Sequence, residues 1–200
     1  AASDVYKRQA LLYEHGDIDK RYGFVMGGGK PEGAFVPKKE DVVPPCAVKT
    51  LPVQDGDVFD LGGVQIEAIA VPGHTAGTMV YLDRARRVLY SGDACNANTL
   101  LGLPCSTTVE TYAKSLDHLA TYLKGIDKFY GGHGLQDVPA YIVDEALILC
   151  EEILNDDDDR FETEFLGRKF LYARKFDGMF HREDGGIANI AYVMEKVYNK

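Results

Sequence analysis

Between Val58 and Ser91 apolar side chains alternate with polar ones, the pattern of strands that bury one face. Val58, Phe59 and Leu61 precede Gly62-Gly63, and Val64, Ile66, Ala68, Ile69 and Val71 follow, which predicts a hairpin turning on the two glycines. A second strand pair is predicted for Thr78 to Leu82 and Arg87 to Ser91, joined across Asp83-Arg84-Ala85-Arg86. The period then lengthens. Val109, Tyr112, Ala113, Leu116, Leu119, Ala120 and Leu123 recur at helical spacing, Thr107-x-x-Glu110 matches a capping box ahead of them, and Gly125 stops the run. Ile126 to Tyr130 reads as a short buried strand ending at Gly131-Gly132-His133-Gly134. A second helix is expected from Pro139 to about Leu154, with Asp137 near its cap. Asn155 and the run Asp156 to Asp159 read as a solvated loop, because the spacing is not that of an EF-hand. From Phe165 to Tyr192 aromatic and charged residues alternate around Asp177-Gly178 and Asp184-Gly185-Gly186, which predicts hairpins before a final helical turn or two.

The first part of the chain carries weaker patterns. Gly27-Gly28-Gly29-Lys30 superficially suggests a phosphate loop, but Lys30 is followed by Pro31 and Glu32 rather than Ser or Thr, so a flexible surface loop is expected. Residues 31 to 56 hold five of the eight prolines and read as an extended connection with short edge pieces. Asp4-Val5-Tyr6-Lys7-Arg8-Gln9 back-translates into a sequence like the transposon end used in preparing sequencing libraries. Residues 1–9 are therefore expected to be an adapter scar, with the natural protein beginning further upstream.

Composition narrows the function. With 200 residues, 46% of them hydrophobic, the chain suffices for one core. A net charge of −9 and a pI near 5.0 offer no electrostatic reason to expect nucleic acid or an anionic membrane as partner, and a small-molecule substrate is easier to accommodate. Oligomeric state is left open. No apolar run approaches the roughly 18 to 20 residues that span a bilayer, and no secretory signal is recognisable, so the expected compartment is the cytoplasm. Cys46, Cys95, Cys105 and Cys150 never form C-x-x-C, and reduced, mostly packed thiols are expected.

The chemistry sits in three segments that each place a potential metal ligand at the end of a predicted strand, beside glycine. They are Pro72-Gly73-His74-Thr75-Ala76-Gly77, Ser91-Gly92-Asp93-Ala94 and Gly131-Gly132-His133-Gly134. Glycine lets the backbone turn sharply and approach an ion closely, while imidazole and carboxylate are ligand types for zinc, iron or manganese. Together and in this order, G-H-T-x-G, S-G-D and G-H resemble three sequence motifs of the metallo-β-lactamase superfamily. The resemblance covers about Asp55 to Gly134.

That resemblance implies an α/β (α+β) fold, a four-layer αβ/βα sandwich of which this chain would be the C-terminal portion. Residues 10–200 would form a partial domain lacking the family's N-terminal H-x-H-x-D-H segment; His15 has no such neighbours. It implies a two-metal site holding two zinc ions in the intact protein, iron or manganese being alternatives. In it His74 completes the site of one metal, Asp93 bridges both and orients the nucleophile as the catalytic carboxylate, and His133 binds the second. The implied activity is hydrolysis of an ester, thioester, amide or phosphoester by a metal-activated water. The chain alone, as a fragment, is expected to bind metal weakly and to be weakly active. The alternatives are a di-iron oxidoreductase on the same scaffold or a non-catalytic binding protein that lacks the upstream ligands. His118 is read as a helix-surface residue and His181 as a hairpin residue. Arg84, Arg86, Tyr172, Arg174 and His181 are weaker pocket-lining candidates.

Overall fold

The computed structural model describes residues 36, 38–41, 51–132, 137–165, 168–177 and 181–199. The chain divides into two units at Pro52. In the first, the described element is one 3-10 turn, Lys39–Asp41, closed by the Lys38 amide donating to Asp41 Oδ2 at 2.7 Å. The Gly27-Gly28-Gly29-Lys30 expectation, Cys46 and the extent of the expected scar lie outside the described residues.

In the second unit both expected strand pairs form. β1 (Val58–Asp60) pairs antiparallel with β2 (Gln65–Ala70), the Leu61 amide donating to the Val64 carbonyl at 2.8 Å to close the turn. Gly62 and Gly63 both have positive φ there, as a two-residue hairpin turn of type I′ requires. β3 (Met79–Asp83) and β4 (Val88–Gly92) follow, and the turn between them is held by Asp83, which accepts from the Arg86 amide and guanidinium at 2.9 and 2.7 Å. β6 (Lys128–Gly131) adds parallel to β4, and β7 (Val138–Pro139) antiparallel to β6, giving the order β1-β2-β3-β4-β6-β7.

This order positions the site. β3 runs antiparallel to both β2 and β4, and β6 runs parallel to β4, so the chain leaves β2, β4 and β6 at one common edge of the sheet.

One face of that sheet buries Ile69, Val80, Leu82, Leu89 and Phe129 beneath two helices. On the other, Tyr81, Tyr90 and Tyr130 share one cross-strand row, with the Tyr90 and Tyr130 rings stacked at 5.9 Å. Helix α1 (Val109–Ala120) turns Val109, Tyr112, Leu116 and Leu119 inward. Its cap departs from expectation by one residue. Thr108, not Thr107, accepts from the N3 amide of Thr111: Thr108 has the extended backbone that precedes Val109, and the Thr107 hydroxyl is turned to the Gly73 and Thr108 carbonyls. Glu110 pairs with Lys114 instead of completing a capping box.

Helix α2 (Ile142–Leu154) starts three residues later than predicted, because Val138 and Pro139 are used as a strand. Asp137 is not its cap; it has φ 64° and pairs with Lys128 at 2.7 Å. Thus the expected Pro139 start and Asp137 cap are both corrected by the pairing of β7 with β6.

A second sheet, β5 (Thr99–Leu100), β10 (Ile190–Tyr192), β9 (Arg168–Tyr172) and β8 (Phe161–Phe165), is ordered β5-β10-β9-β8. The β8–β9 hairpin begins at Phe161, ahead of the predicted tail. Around Asp177, Phe176 bridges Arg182, and a single 3-10 turn, Met194–Lys196, stands where a helical turn was expected. One core runs from the first sheet through α1 and α2 to Ile190 and Tyr192. The Asp156 to Asp159 run is not wholly solvated. Asp158 has a fully buried side chain that accepts from the Tyr192 hydroxyl at 2.6 Å. Burial, then this carboxylate, raises the Tyr192 pKa well above that of an ordinary phenol.

Candidate metal centre

His74 and Asp93, 19 positions apart in sequence, come together at the shared strand edge, with His74 Nε2 3.9 Å from Asp93 Oδ2. His74 lies on the loop after β2, and Asp93 directly follows Gly92 of β4. Both side chains are partly buried. His74 Nδ1 lies 3.0 Å from the Leu100 carbonyl. A carbonyl only accepts, so Nδ1 is the nitrogen that donates to it, and Nε2 is the ring nitrogen that faces Asp93. An outer hydrogen bond of this kind is the usual way a protein fixes the orientation and tautomer of a ligating imidazole.

The third segment enters from β6. The Gly132 amide donates to the Gly92 carbonyl at 2.8 Å, so the end of β6 is tied to the residue before Asp93. A Cβ on Gly132 would stand 2.6 Å from Asp93 Oδ1, well inside contact distance. A side chain here would push the carboxylate from its place, and glycine lets it stay. Gly73, beside His74, is constrained by packing instead, since a Cβ there would meet the buried Tyr112 ring at 2.3 Å. His133 lies outside the described residues. Among those residues no group of three or more His, Cys, Asp or Glu side chains is gathered for a metal.

The donor pair fits a cation. Ligands at about 2.1 Å from one ion can be at most roughly 4.2 Å apart, and an imidazole nitrogen facing a carboxylate is a donor pair that zinc accepts.

The weaker candidates are engaged elsewhere. Arg84 pairs with Glu67, Arg86 with Asp83, Arg174 with Glu152 and His181 with Asp177, while Tyr172 is fully buried. His118 is on the helix surface as expected, 3.1 Å from Asp55. Cys95 and Cys150 are buried free thiols, burial raising the Cys95 pKa to about 12, whereas Cys105 is exposed rather than packed. The parts that sequence reading missed are the Leu100 carbonyl and Ser106, whose hydroxyl donates to the His74 carbonyl at 2.8 Å. A backbone carbonyl and an isolated serine leave no motif.

The family model for the metallo-beta-lactamase superfamily matches residues 5–161. The chain belongs to the metallo-β-lactamase superfamily. It is similar to the human acyl-coenzyme A thioesterase MBLAC2, 31% identical over 86 residues that cover 42% of this chain and 31% of that protein. It is also similar to a hydroxyacylglutathione hydrolase of Brucella anthropi, 36% identical over 101 residues covering 48% of this chain and 36% of the relative. The hydroxyacylglutathione hydrolase of Mesorhizobium japonicum is 38% identical over 120 residues, covering 58% and 41%. The chain thus spans about a third to two fifths of the length of these relatives. A solved metallo-beta-lactamase family protein from Thermus thermophilus superposes with a TM-score of 0.47 at 22% identity, covering 76% of this chain and 53% of the other. No helix among the described residues is long and apolar enough to cross a membrane.

Proposed function

We propose that the protein is a metal-dependent hydrolase that releases an acyl group from a thiol carrier, with His74, Asp93 and His133 as metal ligands. The observation that carries this reading is the approach of His74 Nε2 to the Asp93 carboxylate at 3.9 Å, at the common edge of β2, β4 and β6, with Nδ1 turned to the Leu100 carbonyl. The acyl-coenzyme A thioesterase and hydroxyacylglutathione hydrolase relatives favour a thioester among the candidate bonds, and favour hydrolysis over di-iron redox chemistry. Bound divalent ions, zinc in the first instance, would supply Lewis acidity to a water and to the substrate carbonyl.

The chain's own residues do the positioning. The Leu100 carbonyl accepts from His74 Nδ1 and so leaves Nε2 as the nitrogen turned to the Asp93 side. Asp93, as an ionised carboxylate, offers two oxygens and a negative charge that offsets cationic charge gathered at the edge. Gly132 leaves room for that carboxylate. The remaining ligands are assigned to parts of the protein outside the described residues.

The test compares zinc content and acyl-coenzyme A hydrolysis for the full-length protein and its Asp93→Asn, His74→Ala and Asp144→Asn forms. Asp144 is an exposed carboxylate in the first turn of α2 and serves as control. Loss of either ligand is expected to lower zinc affinity by more than the roughly 100-fold that loss of an outer partner can cost, with turnover falling in parallel. Full zinc occupancy and unchanged turnover in Asp93→Asn would reduce Asp93 to a turn former and end the two-metal reading.

A further inference from the structure

The loop that carries His74 is stitched to the turn at residues 103–107. The Thr107 amide donates to the Gly73 carbonyl at 2.9 Å, and the Ala76 amide to the Cys105 carbonyl at 3.1 Å. The Ser106 hydroxyl lies 2.8 Å from the His74 carbonyl and 3.2 Å from the Leu100 carbonyl, and it accepts from the Leu103 amide at 3.2 Å. Leu100 is the residue whose carbonyl holds the His74 imidazole. Ser106 therefore touches both the backbone of His74 and the acceptor that sets its tautomer.

That turn is held by a single cation from the far end of the chain. Lys196 Nζ donates to the carbonyls of Leu103 at 2.7 Å, Ser106 at 2.5 Å and Pro104 at 3.3 Å. An ammonium has three donors and no acceptor, so these carbonyls use its full capacity. Among the described residues no carboxylate forms an ion pair with it. Three carbonyl dipoles converging within four residues repel one another unless a positive charge stands between them, and Lys196 supplies that charge. Its own position is secured by the segment that follows. The Glu110 amide donates to the Val197 carbonyl at 3.0 Å, and Asn199 Oδ1 accepts from the Thr108 and Thr111 hydroxyls at 2.7 and 2.9 Å.

We propose that Lys196 is a positioning residue for His74, acting through the carbonyls of the 103–106 turn and the Ser106 hydroxyl to hold the imidazole in its Nδ1-protonated form with Nε2 free. This rests on the reading of His74 as a metal ligand, and it assigns to the C-terminal segment a part in the centre that no ligand motif contains. The hydrogen bonds of Lys196 Nζ go to the carbonyls of the 103–106 turn.

The test has two arms on the purified chain. In the first, long-range proton–nitrogen spectra of 15N-histidine-labelled, metal-free protein, at a pH where imidazole is neutral, read the His74 tautomer, with His74→Gln giving the assignment. Wild type is expected to show the Nδ1–H form. Lys196→Met is expected to show a mixture of tautomers, Lys196→Arg to restore the wild-type pattern, and Lys114→Met, which removes only the surface pair with Glu110, to leave it unchanged. Ser106→Ala should reproduce the mixture, and Lys196→Gln replaces Lys196→Met if the latter does not fold. A purely structural lysine would lower thermal stability without moving the tautomer, and an unchanged His74 spectrum in folded Lys196→Met or Lys196→Gln overturns the proposal. In the second arm, titration with Zn²⁺ alone is expected to show affinity lowered roughly 10-fold or more in Lys196→Met and regained in Lys196→Arg. A shifted tautomer with unaltered Zn²⁺ affinity sustains the positioning role and removes His74 from the ligand set, so the two readings fail separately.

Discussion

Asp83 and Gly132 show how much single residues are constrained by what surrounds them. The Asp83 carboxylate is 1% exposed beneath Arg86, whose side-chain hydrogen bond, with the Arg86 amide, holds its pKa below the usual 3.8. A group depressed in the folded state contributes stability that is present above the unfolded pKa and lost as pH falls through the folded one. Glu110 and Asp184 are depressed in the same direction, by Lys114 and Arg182. The melting temperature should therefore fall as pH drops below about 4, and Asp83→Asn should flatten that fall. An acid limb of identical steepness in the variant would show that Asp83 does not contribute to it. At Gly132 the constraint is space. Gly132→Ala would press a methyl group against Asp93 Oδ1. Zinc affinity is expected to drop by roughly 10-fold or more, as when an outer partner of a ligand is disturbed, and wild-type zinc binding by the alanine variant would refute it.

Elements are decided by competition for backbone groups. Two threonines precede α1, but the Thr107 hydroxyl is turned to the Gly73 carbonyl, which leaves the Thr108 hydroxyl to receive the Thr111 amide. Thr108→Ala should cost about 1 kcal/mol in urea unfolding, as loss of an N-cap does, and somewhat more if the tie to Asn199 also contributes. Equal stability of wild type and variant would return the cap to Thr107. The same competition moves the start of α2, because Val138 and Pro139 complete the sheet edge beside β6 before the helix begins at Ile142. A proline followed by an apolar run reads as a helix start. It becomes a strand when a neighbouring strand supplies carbonyls and amides to pair with.

At the scale of the whole second unit, α2 links the two sheets. Ile142, Ala146, Leu149 and Ile153 lie in the same buried cluster as Leu89 and Phe129 of one sheet and Ile190 and Tyr192 of the other. Leu149 is 1% exposed. Leu149→Ala is expected to cost about 2–5 kcal/mol, the range for a core leucine, and to lower one common transition. Circular dichroism in the peptide region and tyrosine fluorescence should give the same urea midpoint. Two separated midpoints would mean that the sheets unfold independently and that the core is not shared.

The strand pairs, the amphipathic α1 and the glycines beside His74 and Asp93 were legible in the chain because each is local. Alternation at period two, recurrence near 3.6 and glycine beside a ligand are written in neighbouring residues. The meeting of His74 with Asp93 was legible only by resemblance, since their approach depends on β3 reversing between two parallel-running strands. Tertiary structure alone decided which threonine caps α1, that Asp158 is buried under Tyr192, and that Asp137 pairs with Lys128. It also decided that the Leu100 carbonyl, Ser106 and Lys196 surround the loop of His74. These last contacts are made by backbone carbonyls and by side chains up to 122 positions from the histidine. Every residue carries the same carbonyl, so nothing in the order of side chains marks which ones the fold will bring to His74.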